Sequence, residues 1–127
     1  MDNRHSFNEY DGLVLATIAS NKTCDLTIWF GFIDAYYRVV LSYAELDRAL
    51  CKLQKSGFIL FDGGRFRCTQ RAEKILAGRV RLSVFAWICK VQERLCKTPV
   101  ECLYDVRFRI TEAEYEKALA AHHARFR

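Results

Sequence analysis

Residues 42–76 read SYAELDRALCKLQKSGFILFDGGRFRCTQRAEKIL, and the signals in this stretch decide the fold. Ser42 with Glu45 three residues later is a capping box, in which each side chain accepts an otherwise unsatisfied backbone amide of a first helical turn. Leu46, Ala49, Leu50 and Leu53 recur at helical spacing as one apolar stripe, which assigns Lys52, Gln54 and Lys55 to the opposite side. Gly57 tolerates the positive φ that ends a helix. Two short β-prone runs follow, residues 58–61 and 65–68, separated by Asp62-Gly63-Gly64, whose glycines suit a tight hairpin. Thr69 is then placed to cap another helix.

Upstream, residues 8–20 predict a first helix with Leu13, Ile18 and neighbouring alanines inward, and residues 21–23 a loop. Asp25 caps a second helix, Leu26–Tyr37, whose Leu26, Trp29, Phe30, Ile33 and Tyr37 form the i, i+3, i+4 stripe. Phe32 and Tyr36 widen that stripe, so this helix is expected to be covered on two sides. Core packing is the plainer reading of these aromatics and a ligand pocket the other. Downstream, Gly78 divides a long helical pattern, and residues 79–97 predict a second helix with Val84, Ile88, Val91 and Leu95 along one edge. Beyond Pro99, residues 103–110 alternate as a strand, with Val106, Phe108 and Ile110 inward and Arg107 and Arg109 outward. Thr111 with Glu114 is a second capping box, opening a last helix with Tyr115, Ala118, Leu119 and His122 on one face.

Helix, hairpin and helix in that order resemble the second half of the winged helix-turn-helix fold of bacterial regulators of the MarR and PadR kind. The resemblance spans roughly residues 8–76 and rests on Leu46, Leu50, Leu53, Gly57 and Ile59 followed by DGGRFRCTQRAEKIL. More narrowly, the chain resembles small bacterial proteins with a winged-helix core and a helical tail. The expected fold is therefore mainly α with a small β-hairpin: a winged helix-turn-helix, then a long helix and a strand-helix tail. Residues 1–97 would form the winged-helix domain with its long helix, and residues 98–127 an extension packing on it.

Composition bounds the function. One domain is expected from 127 residues, and 51% apolar content suffices for an ordinary core. The opening MDNRHSFNEY has no apolar leader core, and no apolar run is long enough to cross a membrane, so a soluble cytoplasmic protein is expected. The six cysteines, at 24, 51, 68, 89, 96 and 102, contain no C-x-x-C clamp and are expected to be reduced thiols. Adjacent His122 and His123 point about 100 degrees apart on a helix and match no metal-ligand spacing. Gly-rich phosphate loops and the G-x-S-x-G and H-E-x-x-H elements are missing, so neither catalysis nor a cofactor or metal is expected.

Charge is uneven along the chain. Residues 1–41 carry three Lys/Arg against five Asp/Glu, a net of −2; residues 42–97 carry twelve against five, +7; residues 98–127 carry five against five. The basic excess thus lies in the helix-hairpin-helix segment and suits a polyanion. Expectation settles on a transcriptional regulator that binds double-stranded DNA. The helix of residues 43–56 would enter the major groove, with Arg48 on base edges or phosphate and Lys52 and Lys55 on the backbone. Arg65 and Arg67 would reach phosphate from the hairpin. Val84, Ile88, Val91 and Leu95 would form a homodimer interface, setting two such helices on adjacent half-sites; the plainer alternative is that this helix packs back on the first helix and on the tail. The alternative is a winged helix used as a protein-protein interaction module without DNA binding.

If the stripe phase is right, Leu50→Ala leaves a cavity in the core. A loss of about 2–5 kcal/mol of stability is expected. An unchanged denaturant midpoint would contradict that phase.

Overall fold

Local capping chemistry starts every long helix of the computed structural model, which describes residues 6–125. Six helices and one antiparallel hairpin occur among these residues: α1 (Glu9–Asn21), α2 (Leu26–Tyr37), α3 (Tyr43–Lys55), β1 (Ile59–Asp62), β2 (Arg65–Cys68), α4 (Glu73–Leu76), α5 (Val84–Cys96) and α6 (Glu112–Arg125). Asn8 and Asp11 form a reciprocal capping box on α1, as Ser42 and Glu45 do on α3. Asp25 accepts the Thr27 amide at α2, and Ser83 that of Ala86 at α5. Thr111 and Glu114 share their bonds at α6. At the other end of α3, Gly57 has φ +76. Its amide bonds Gln54 O while that of Phe58 bonds Leu53 O, the paired closure of a Schellman motif.

The hairpin is tighter than the three-residue turn read from the sequence. Asp62 pairs with Arg65, so only Gly63 and Gly64 make the turn, with φ of +59 and +77. Two consecutive positive values match the twist of the flanking strands. Phe66 is buried beneath the hairpin, whereas Arg65 and Arg67 face solvent. Thr69 precedes the 3-10 turn Gln70–Ala72 without making a cap bond. Its hydroxyl donates instead to Gly57 O at 2.5 Å, tying the strand exit to the end of α3.

Two further expectations change. The helix expected from residue 79 begins at Val84, because Gly78 (φ +93) breaks the chain and Ser83 supplies the cap. Trp87 Nε1 donates to Leu76 O, and Arg94 donates to the carbonyls of Ile75 and Ala77, which fastens α4 to α5. The segment expected as a strand, residues 103–110, forms no ladder. Its alternation is nevertheless real, with Ile110 buried, Val106 and Phe108 half-buried, and Arg107 and Arg109 exposed. We call residues 98–111 the strap.

The core surrounds α1. Its eight residues from Asp11 to Ile18 are all buried, because α2, α3 and α5 pack around it. Gly12 permits the close approach of α5: a Cβ there would lie 2.6 Å from Gln92 Cα. Gln92 Nε2 also donates to Glu9 O at 3.0 Å. On the far side, α6 packs on α2, with Tyr115 edge-on to Phe30 and its hydroxyl bonded to Leu41 O.

Inside this core sits an ion pair. Asp11 and Lys52 are both nearly inaccessible and meet at 2.5 Å, with Lys52 also donating to Ser6 O. Burial pushes the Asp11 carboxyl above its ordinary value, against the opposing pull of Lys52 and the Asn8 amide. Truncation of one partner strands the other charge, so Asp11→Ala is expected to cost about 3–5 kcal/mol in chemical denaturation, whereas the double change Asp11→Leu with Lys52→Met recovers most of it. Equal losses in the single and double variants would show that the pair is not what holds this contact.

Candidate nucleic-acid interface

The residues expected to meet phosphate divide into two sets. Arg48 and Lys55 on α3 and Arg65 and Arg67 on β2 are exposed. Lys52 is not: its ammonium is held by Asp11 inside the fold, so its assignment to DNA is corrected. The error is one of helical phase, because Lys52 lies beside the Leu46, Ala49 and Leu53 stripe and turns toward α1. Gln54, also expected to face away from the core, is buried under the strap.

The assigned dimer face is corrected as well. Ile88, Val91 and Leu95 are wholly buried and Val84 partly so, because this edge of α5 packs against α1 of the same chain. Ile88, Val91 and Leu95 are therefore covered within the chain and leave no side-chain surface to a second copy.

The strap builds what the sequence reading missed. Gln54 acts as a latch: its Oε1 accepts the amides of Arg107 and Phe108 at 3.0 and 3.1 Å, and its Nε2 donates to Phe108 O at 2.8 Å. One side-chain amide thereby does the work of a neighbouring strand. The Lys55 carbonyl accepts the amides of Leu103 and Tyr104, Ser56 exchanges bonds with the backbone of Glu101, and Tyr43 donates to Ile110 O. Phe108 packs on Phe61 and Phe66, closing the strap over the hairpin.

This placement changes the electrostatics of α3. Acids in its first turns would repel phosphate, but Glu45 is engaged by the Ser42 amide and Asp47 by Arg109, which approaches through Nε at 3.3 Å and Nη2 at 2.6 Å. Arg109 remains largely exposed. Burial and the neighbouring Asp47 push the Cys51 thiol up, against the opposing pull of Arg109 and Lys55. Arg107 lines a cleft with Leu60, whose cross-strand partner is Arg67. The exposed cations of α3, the hairpin and the strap are thus Arg48, Lys55, Arg65, Arg67, Arg107 and Arg109, with Asp62 opposite Arg65 and Asp105 in the cleft beside Arg107. Arg107 and Arg109 were legible as the outward half of an alternating run, but nothing local to them signals that the run lies on α3.

The cleft measures about 590 Å³ and lies between β1 and the strap. Arg71 enters it from the 3-10 turn, stacked on Phe58 and paired with Glu101. All six cysteines are free thiols. Burial pushes Cys68 up to about 11, which suits packing rather than reactivity. Among the described residues no group of three or more His, Cys, Asp or Glu is placed to hold a metal ion, and no helix is long and apolar enough to cross a membrane. Compared with known proteins, the chain matches no family model, no curated protein and no solved structure.

Removing the latch should loosen the strap without dissolving the core. For Gln54→Ala a cost of about 1–3 kcal/mol is expected, since two amides and a carbonyl lose their partners. Hydrogen exchange should accelerate at residues 103–110 while α1 keeps its protection. Unchanged exchange at Arg107 and Phe108 would mean that Gln54 is not the latch.

Proposed function

We propose that the protein is a cytoplasmic DNA-binding regulator of winged-helix type that holds double-stranded DNA chiefly through its phosphates. The observation that carries this reading is the exposure of Arg48, Lys55, Arg65 and Arg67 together with the strap's Arg107 and Arg109, while Glu45 and Asp47 are engaged within the protein. Displacement of condensed counterions by such a set of cations supplies affinity for any duplex. The order of three helices followed by a hairpin supports the winged-helix part. Arg48 is the residue best suited to reach a base edge, because Gln54 is held by the strap and Lys52 by Asp11. Pairing of two copies on adjacent half-sites would use a surface other than the buried face of α5, and the exposed Ile28 and Tyr36 of α2 offer one.

A second reading, a protein-interaction module without DNA binding, is favoured by one observation. The strap lies along one flank of α3 and narrows the surface that a major groove would receive.

Duplex titrations at several salt concentrations separate the two. In the Arg65→Gln, Arg67→Gln double variant, affinity should fall about equally for all duplexes, and the slope of log affinity against log salt should become shallower by about 1.8, near 0.9 for each lost phosphate contact. Circular dichroism should be unchanged. A folded wild type that binds no duplex at low ionic strength would overturn the DNA reading in favour of the interaction module.

A further inference from the structure

The cleft between hairpin and strap carries one feature that phosphate binding does not need. Tyr104 lies so close over Gly57 that a Cβ at that position would come within 2.6 Å of the ring Cε2. The amides of Leu103 and Tyr104 both donate to Lys55 O, at 2.9 and 3.1 Å, which fixes the backbone beneath the ring. Yet Tyr104 is 60% exposed. An aromatic ring held against one surface and open on the other is a platform for stacking a planar group.

The charge around it selects the kind of planar group. Arg107 lines the same cleft and has no ion-pair partner among the described residues, whereas Arg71 is already paired with Glu101. Gln70 and Asp105 add an amide and a carboxylate to the lining, which can bond to the edges of a heterocycle. A nucleotide joins a planar heterocycle to an anion and so matches this lining. Bases stacked within a duplex present only their edges, so the open face of this ring can be covered only by a base that has left the stack. We infer that the cleft receives an unpaired base of a single-stranded nucleic acid, stacked on Tyr104 with its flanking phosphate on Arg107. This inference rests on the nucleic-acid reading above and names a subsite within it.

Fluorescence anisotropy with a labelled oligothymidylate of about 12 nucleotides and a duplex of similar length tests it. For Tyr104→Leu, strand affinity should drop roughly tenfold with duplex affinity little changed, and Tyr104→Phe should retain both, because the ring and not the hydroxyl does the stacking. Arg107→Gln, at an exposed side chain outside the core, should weaken strand binding and make its salt slope shallower by about 0.7. For Tyr104→Leu, equal losses on strand and duplex or no loss on either would overturn the subsite, as would thymidine monophosphate binding as tightly as the strand. Should Tyr104→Leu unfold, Tyr104→Gln takes its place with the same supporting and overturning outcomes. Wild-type protein that binds duplex but no strand overturns this inference only; binding of neither removes the nucleic-acid reading with it.

Discussion

The buried contact between Asp11 and Lys52 is the constraint on which the arrangement depends. Asp11 caps α1 by accepting the Asn8 amide and at the same time neutralises Lys52 of α3. Lys52 in turn reaches Ser6 O, and Ser6 forms an isolated bridge with Pro99 at the start of the strap. Three parts of the chain thus meet at one pair of charges, and Ser6 ties them to the strap. Two desolvated ions are a weak source of net stability, since the cost of removing them from water offsets most of their attraction. Their geometric demand is strict, however, because any packing of α3 on α1 that separates them leaves an uncompensated charge inside the protein. The pair thereby fixes the rotation of α3 about its axis.

That rotation decides which residues of α3 remain for a ligand. With Lys52 turned to α1, Gln54 faces the strap and Asp47 faces Arg109, which leaves Arg48 and Lys55 in solvent. The strap is therefore both a structural and an electrostatic device. Its alternating side chains bury Ile110 and pack Phe108 on the hairpin aromatics, as a strand would. Its backbone is satisfied by the Gln54 amide and the Lys55 carbonyl instead of a ladder. Its arginines neutralise one acid of α3 and add positive charge beside the hairpin. Closing over the hairpin at Phe108 while diverging toward Tyr104, it also forms one wall of the cleft.

Stability and the proposed binding surface are coupled through the same atoms. The carbonyl of Lys55 supports Tyr104, and the end of α3 requires Gly57, the residue on which the Tyr104 ring rests. A side chain at Gly57 would strain a backbone with φ +76 and also displace that ring. Change at this glycine therefore acts on the fold and on the cleft together, whereas Arg65, Arg67 and Arg107 can be varied with little effect on the core because they are exposed.

What the sequence alone determined is what residues within about four positions of one another decide. The Ser42–Glu45 and Thr111–Glu114 boxes, the Asp25 cap, the Gly57 terminus and the bounds Leu26–Tyr37 rest on hydrogen bonds and φ preferences that are local. So do the outward positions of Arg65 and Arg67, which follow from strand alternation once Phe66 is buried. Tertiary structure decided what depends on distant neighbours. A lysine beside an apolar stripe reads as solvent-facing until an aspartate 41 positions away turns it inward. An apolar helix face reads the same whether it meets a second copy or α1, and Gly12 opposite Gln92 is what admits α5. An alternating run reads as a strand whether or not another strand lies beside it, and here a glutamine side chain takes that place. Hydrophobic periodicity records that a surface is to be buried, and only the packed chain specifies against what.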